Sequence, residues 1–467
     1  MEHNNKHQEW HDKDLTKGDI LKELWSLAWP MMLSVFFYTL YNLVDAYWVS
    51  KLSPEAIAAV SISQITLFVM ISLGFGITIG SGVIMSMHIG AKDKKEAERV
   101  LGQSFVLAVI AGILFTVISL IFRNELLIAS GASGAIFEPA LDYFTITAGG
   151  SVLFFILITI MFAFNAQGDT FTLTKLFAIS TLVNAIMDPI MIFGWWGLPA
   201  MGISGAAIAT LVSQTIFILI AIPSLSGKHR HIRFHFSNLT LKIESVKKIL
   251  DIGIPAALTQ VIFPVGMAAL TFVISLVFFE PGAIAFSLGF RIDFFAFLPA
   301  VGFGFGAMAM IAQSLGAGKP ERAKKILNMA LKYSFFSATF IGILAFLFAG
   351  GIIRLFTSDP LVTSYTRSYM WTVVLSYGFL AAIMVEASAF QAKGKSWPGF
   401  WIFFIKFIVI SIPLSYVLTN LFHLPITSIW VAIAAGNIVA SMIGYFWAVK
   451  TMDKTTINDV PVHVAKI

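Results

Sequence analysis

Apolar residues run in long stretches separated by short polar breaks, without the alternation that marks half-buried strands. Twelve stretches reach bilayer length, which takes ~20 helical residues. They are 25–49, 57–87, 100–121, 141–164, 176–193 and 204–224, then 250–278, 284–312, 327–349, 369–390, 398–419 and 427–449. Lipid offers bare backbone no hydrogen-bond partner, so runs this long predict helices and not the strands of a barrel. The expected fold is an all-α integral membrane protein with 12 transmembrane helices.

The same pattern occurs twice. Gly76, Gly80, Gly90, Ala91 and Ala97 recur 226 residues later as Gly302, Gly306, Gly316, Ala317 and Ala323. Phe164, Ala166 and Gly168 meet Phe390, Ala392 and Gly394 at that offset, and Leu198-Pro199 meets Leu424-Pro425. A fixed offset at three separate places marks an internal duplication. Six spans are an even number, so both copies enter the membrane from one side and form two parallel six-helix repeats. The predicted organisation is a tail (1–24), a first lobe (25–224), a polar linker (225–249), a second lobe (250–449) and a closing tail (450–467). The glycines at 76, 80, 302 and 306 form one GxxxG per copy, a spacing that favours close helix packing.

Composition agrees: 58% of the 467 residues are hydrophobic and 12% charged, with a mean hydropathy of +0.85. Of 31 Lys and Arg, 24 fall in the tails and in the loops after even-numbered spans. The opposite loops hold Lys51, Arg123, Arg354 and Arg367. Because basic residues stay cytoplasmic, both termini are expected inside, in a multi-pass protein of the cell (plasma) membrane. The net charge of +6 then reflects topology and anionic lipid, and no nucleic-acid partner is expected. The polar head MEHNNKHQEWHDKD contains no cleavable apolar core. Cysteine is absent, which excludes disulfides and thiolate metal sites. Without a GxxxxGK[ST] loop, a metal-ligand cluster or a nucleophile paired with a base, the sequence argues against direct ATP drive and against an enzyme.

Chemistry is expected where the copies differ. Asp45 meets Leu270 at an offset of 225, one residue being inserted, and Asp188 meets Leu414 at 226. Both carboxylates therefore belong to the first copy. Counted inward from the span ends they lie ~8 and ~10 Å deep at 1.5 Å per residue, and Thr210 on the sixth span shares that level. Tyr41 and Asn42 share a helix face with Asp45, and Asn184 shares one with Asp188. Pro189 frees the carbonyl of Ala185 beside Asp188, and Pro30 interrupts the first span; both are candidate hinges. Ionisable groups inside a membrane mark ion or substrate paths. In the second copy Arg291, Asp293, Glu386 and Lys406 leave open a second polar site. Glu386 and Lys406 lie at similar depth, so an ion pair between them is expected to be structural.

The segments LYNLVDAYWVS (40–50), GAKDKKEAERV (90–100), NAIMDPIMI (184–192), GAAIATLVS (205–213) and FQAKGKS (390–396) resemble the multidrug and toxic compound extrusion (MATE) family, in its DinF-like branch. The resemblance implies a V-shaped, two-lobed transporter that exports organic cations or amphiphiles and needs no cofactor. It also implies an acidic network at Asp45, Asn184, Asp188 and Thr210, with Tyr41 nearby. Small drug-like molecules and the bilayer are the expected partners, and the expected state is a monomer. Two carboxylates at one level of low dielectric cannot both stay charged cheaply, so the proton is the expected coupling ion. Sodium on the oxygens of Asp45, Asn184, Asp188 and Thr210 is the alternative coupling. A lipid-linked-precursor flippase of the wider superfamily is the alternative function.

Overall fold

The computed structural model describes residues 14–227, 232–354 and 356–455, the side chains of 69, 70 and 73 excepted. The tail residues 1–13 and 456–467, and 228–231 of the linker, lie outside the described residues. No strand occurs among the described residues. The first copy comprises α1 (Ile20–Val49), α2 (Pro54–Gly90), α3 (Lys94–Ile121), α4 (Arg123–Ala129), α5 (Phe137–Gly149), α6 (Ser151–Ala166), α7 (Thr170–Phe193) and α8 (Gly202–Leu225). The second begins with the helical run α9 (Ile243–Gly316), broken at Phe279 where φ is 51°. It continues with α10 (Pro320–Leu347), α11 (Ala349–Arg354), α12 (Pro360–Thr372), α13 (Tyr377–Ala392), α14 (Trp397–Phe404), α15 (Ile412–Tyr416) and α16 (Thr427–Asp453).

Among the described residues nine helices are long and apolar enough to cross a bilayer, and a tenth results from joining Gly134–Gly149 to Ser151–Ala166 across a 52° bend. The 74-residue α9 counts twice because of its break, and the 37-residue α2 adds one more. Those are the twelve spans that the apolar runs predict. The helices begin where side chains satisfy the first free backbone donors. Ser53 accepts from the amide of Ala56, Asp93 from Glu96, Asp169 from Thr172 and Asp359 from Val362. Gly194, at φ 74°, ends α7 in the left-handed conformation that suits glycine.

The chain divides into two compact units, one containing 33–257 and the other containing 14–32 and 258–455. Their borders differ from the predicted lobes, because α1 is cut between Met32 and Leu33 and α9 between Ala257 and Leu258. In the first unit a Cβ on Gly76 or Gly80 would run into the backbone of Gly253 or Ile249. In the second, Gly302 leaves no room for a Cβ against Ala28 and Met32, and Gly306 packs on Leu27. Each GxxxG therefore seats the opening half of the other copy's first helix. Ahead of α1, the guanidinium of Arg322 donates to the carbonyls of Leu15, Lys17 and Gly18, and Lys319 Nζ donates to that of Thr16 at 2.9 Å.

Candidate functional site

Five helices of the first unit contribute to one polar cluster. Asp45 on α1 and Asp188 on α7 are 2% and 0% exposed and lie within electrostatic reach of each other. Asn184, one turn before Asp188, donates from Nδ2 to Asp188 Oδ1 at 3.0 Å. Tyr41 on α1 meets Ser213 Oγ of α8 at 3.5 Å and lies against Thr210 of the same helix. Asp45, Asp188, Asn184, Thr210 and Tyr41 are thus brought together. Asn42 is not: half-buried, it donates to the carbonyl of Tyr38 on its own helix, at 2.7 Å.

The unsatisfied atoms are all acceptors. Asp45 Oδ1, Asp188 Oδ2 and Asn184 Oδ1 are buried and have no hydrogen-bond partner among the described residues. No Lys or Arg forms an ion pair with either carboxylate among the described residues. Pro189 leaves the carbonyl of Ala185 without its helical donor, since a proline ring carries no N–H. Such a cluster can take up a proton or an oxygen-seeking cation. No group of three His, Cys, Asp or Glu side chains that could hold a metal ion occurs among the described residues.

Tyr143 of α5 also belongs to the cluster. It is 3% exposed, within electrostatic reach of Asp45 and Asp188, and lies against Gln64 of α2. Sequence reasoning passed over Tyr143, Gln64 and Ser213, because a tyrosine, glutamine or serine in a span carries no charge to flag it. One signal was available: Tyr143 recurs as Tyr369, at the repeat offset of 226.

In the second unit Asp293 accepts from the hydroxyls of Tyr369, at 2.6 Å, and Tyr377. Lys406 lies within electrostatic reach of Asp293. The expected pair of Glu386 with Lys406 does not form: Glu386 instead accepts from Ser441 Oγ at 3.4 Å, and its other oxygen abuts Gly444. Arg291 is exposed and stands apart from Asp293. Counting residues fixed the depth of these groups but not the side of the helix that each faces.

The sequence model of the MatE family matches residues 30–190 and again 255–417. This chain belongs to the MatE family. The two matches cover the two copies, as the internal duplication requires. The chain is similar to the probable multidrug resistance protein NorM of Thermotoga maritima, with 26% identity over 426 residues and 91% of each chain covered. It is also similar to an FAD transporter of Shewanella oneidensis, with 27% identity over 427 residues, 90% of this chain and 94% of the other. An outward-facing multidrug resistance MATE transporter of the MOP superfamily superposes with a TM-score of 0.87 at 25% identity, covering 95% of this chain and 98% of that one. MatE membership makes this chain a multi-pass membrane transporter for small molecules and not an enzyme, with no cofactor required.

Proposed function

We propose that this MatE protein is a secondary active efflux antiporter that exports organic cations or amphiphiles in exchange for inward protons. Its relatives' names support multidrug export, and the carboxylate cluster supports the proton. The observation carrying this reading is the set of three buried acceptors without donors at Asp45, Asp188 and Asn184. A buried carboxylate lacking a cation is costly, and a proton supplies both the missing donor and the missing charge. A ligand drives such a cycle only through its different affinity for two conformations. With the positive-inside bias, we place both termini in the cytoplasm of a monomer in the plasma membrane. Inward movement of one charge releases ~2.3 kcal/mol per 100 mV.

Sodium is the second reading, favoured by the oxygen-only character of the cluster. Dye efflux from vesicles containing only the purified protein tests both. An imposed pH gradient without sodium drives export by the parent on our reading, while a sodium gradient at fixed pH does not. Export under the sodium gradient alone overturns proton coupling, and normal coupling by both Asp45→Asn and Asp188→Asn overturns the site.

A further inference from the structure

The second unit contains a small cavity of about 20 Å³, walled largely by phenylalanines that include Phe263, Phe290 and Phe297. Asp293 and Lys406 are among the polar groups on its wall. Lys406 is only 4% exposed, and its ammonium lies 4.4 Å from the ring centre of Phe407 and 5.6 Å from that of Phe263. It sits in a wide π-helical turn, Ile405–Ser411, a distortion that recurs at functional sites. No described residue accepts a hydrogen bond from this ammonium, which has three donors to place. Asp293, by contrast, has both oxygens engaged by tyrosine hydroxyls.

The repeat shows where this cavity stands. Leu270, on its wall, occupies the position of Asp45, and Tyr369 occupies that of Tyr143. The two copies thus carry corresponding sites of opposite bias. In the first unit acceptors lack donors; in the second the buried Lys406 ammonium lacks acceptors, with one unpaired acceptor, Asn437 Oδ1, on the same wall.

We propose that the cavity of the second unit binds organic anions, an aromatic body against the phenylalanines and its carboxylate or phosphate at Lys406. Asp293 opposes a second negative charge, but its tyrosine partners hold the carboxylate while the ammonium's three donors go to the ligand. Asn437, also on the wall, donates to Ser376 Oγ and keeps its own carbonyl oxygen unpartnered, so it can accept from a hydroxyl or amide of the same ligand. At about 20 Å³ the cavity holds little more than one water molecule, so admitting the aromatic body requires the phenylalanines to swing aside.

Equilibrium dialysis of the purified full-length protein in neutral detergent tests this, with protein-free micelles as the blank. The probes are 2-naphthoate, 2-naphthyl phosphate and 2-naphthalenemethanol. The parent is expected to bind at least one anion tenfold or more tightly than the alcohol. Which anion binds distinguishes carboxylate from phosphate cargo. Lys406→Met should bring anion binding down to the level of the alcohol, Lys406→Arg should preserve it, and Asp293→Asn should strengthen it several-fold. Binding of the alcohol by the parent as tightly as either anion, or persistence of anion preference in folded Lys406→Met, overturns the proposal. If Lys406→Met does not fold, Asp293→Asn decides: unchanged or weaker anion binding overturns it. The test applies no ion gradient, so its outcome is separate from that of the antiport experiment.

Discussion

Asp188 presents one oxygen to Asn184 and leaves the other without a donor. Replacing it by Asn removes the buried ionisable group and its unpartnered oxygen, so Asp188→Asn is expected to abolish coupled efflux while keeping or raising thermal stability. Relief of an unsatisfied buried group is worth about 1–3 kcal/mol, and unfolding in detergent followed beside vesicle efflux checks both halves of the expectation. Tyr143→Phe removes the hydroxyl that meets Gln64. We expect the maximal efflux rate to hold and the half-saturating ion concentration to shift by less than about tenfold, the ~1.4 kcal/mol of one hydrogen bond; efflux against external pH measures it. Asp45, Asp188, Asn184, Thr210 and Tyr41 were legible in the sequence because carboxylates in apolar runs are conspicuous and helical spacing names their neighbours. The separation of Lys406 from Glu386 was not, since depth along a helix says nothing of the direction in which a side chain points. Asn42 misled for a related reason: it shares a face with Asp45 but turns its amide back to Tyr38.

Helices were read well where lipid dictates them and less well at their ends and bends. The second span, predicted over 57–87, extends to Pro54–Gly90 because Ser53 caps it and Pro54 fits the first turn. The 52° bend between α5 and α6 falls at Gly150, inside a run that reads as one span, because hydropathy is blind to direction. Gly76 allows α2 to approach the backbone of Gly253. Gly76→Leu is therefore expected to destabilise by roughly 1–3 kcal/mol through overpacking. Gly149→Ala meets open space at the last residue of α5 and should be neutral or slightly stabilising; thermal unfolding of the two variants in one detergent separates the effects. Pro189→Ala restores a donor to the carbonyl of Ala185 and stiffens α7 beside Asp188. Slower efflux with unchanged substrate binding is the expected result, and equal rates in variant and parent would rule out a hinge.

Over the whole molecule, the duplication and the number of spans could be read from spacing alone, whereas the borders of the two units could not. Each border falls two residues after the paired prolines Pro30 and Pro255, at Met32 and Ala257. Contacts that set those borders join residues far apart in the chain, such as Ala28 with Gly302, and no local pattern announces them. A chain severed in the linker yields a first fragment lacking 243–257 and a second lacking 14–32, each without a helix that its glycines were shaped to receive. Either fragment expressed alone is expected to accumulate several-fold less than the pair expressed together, as membrane immunoblots would show. During synthesis the ribosome releases the first 224 residues before Gly253 exists to cover Gly76, so the earlier copy waits, incomplete, for the opening of the later one.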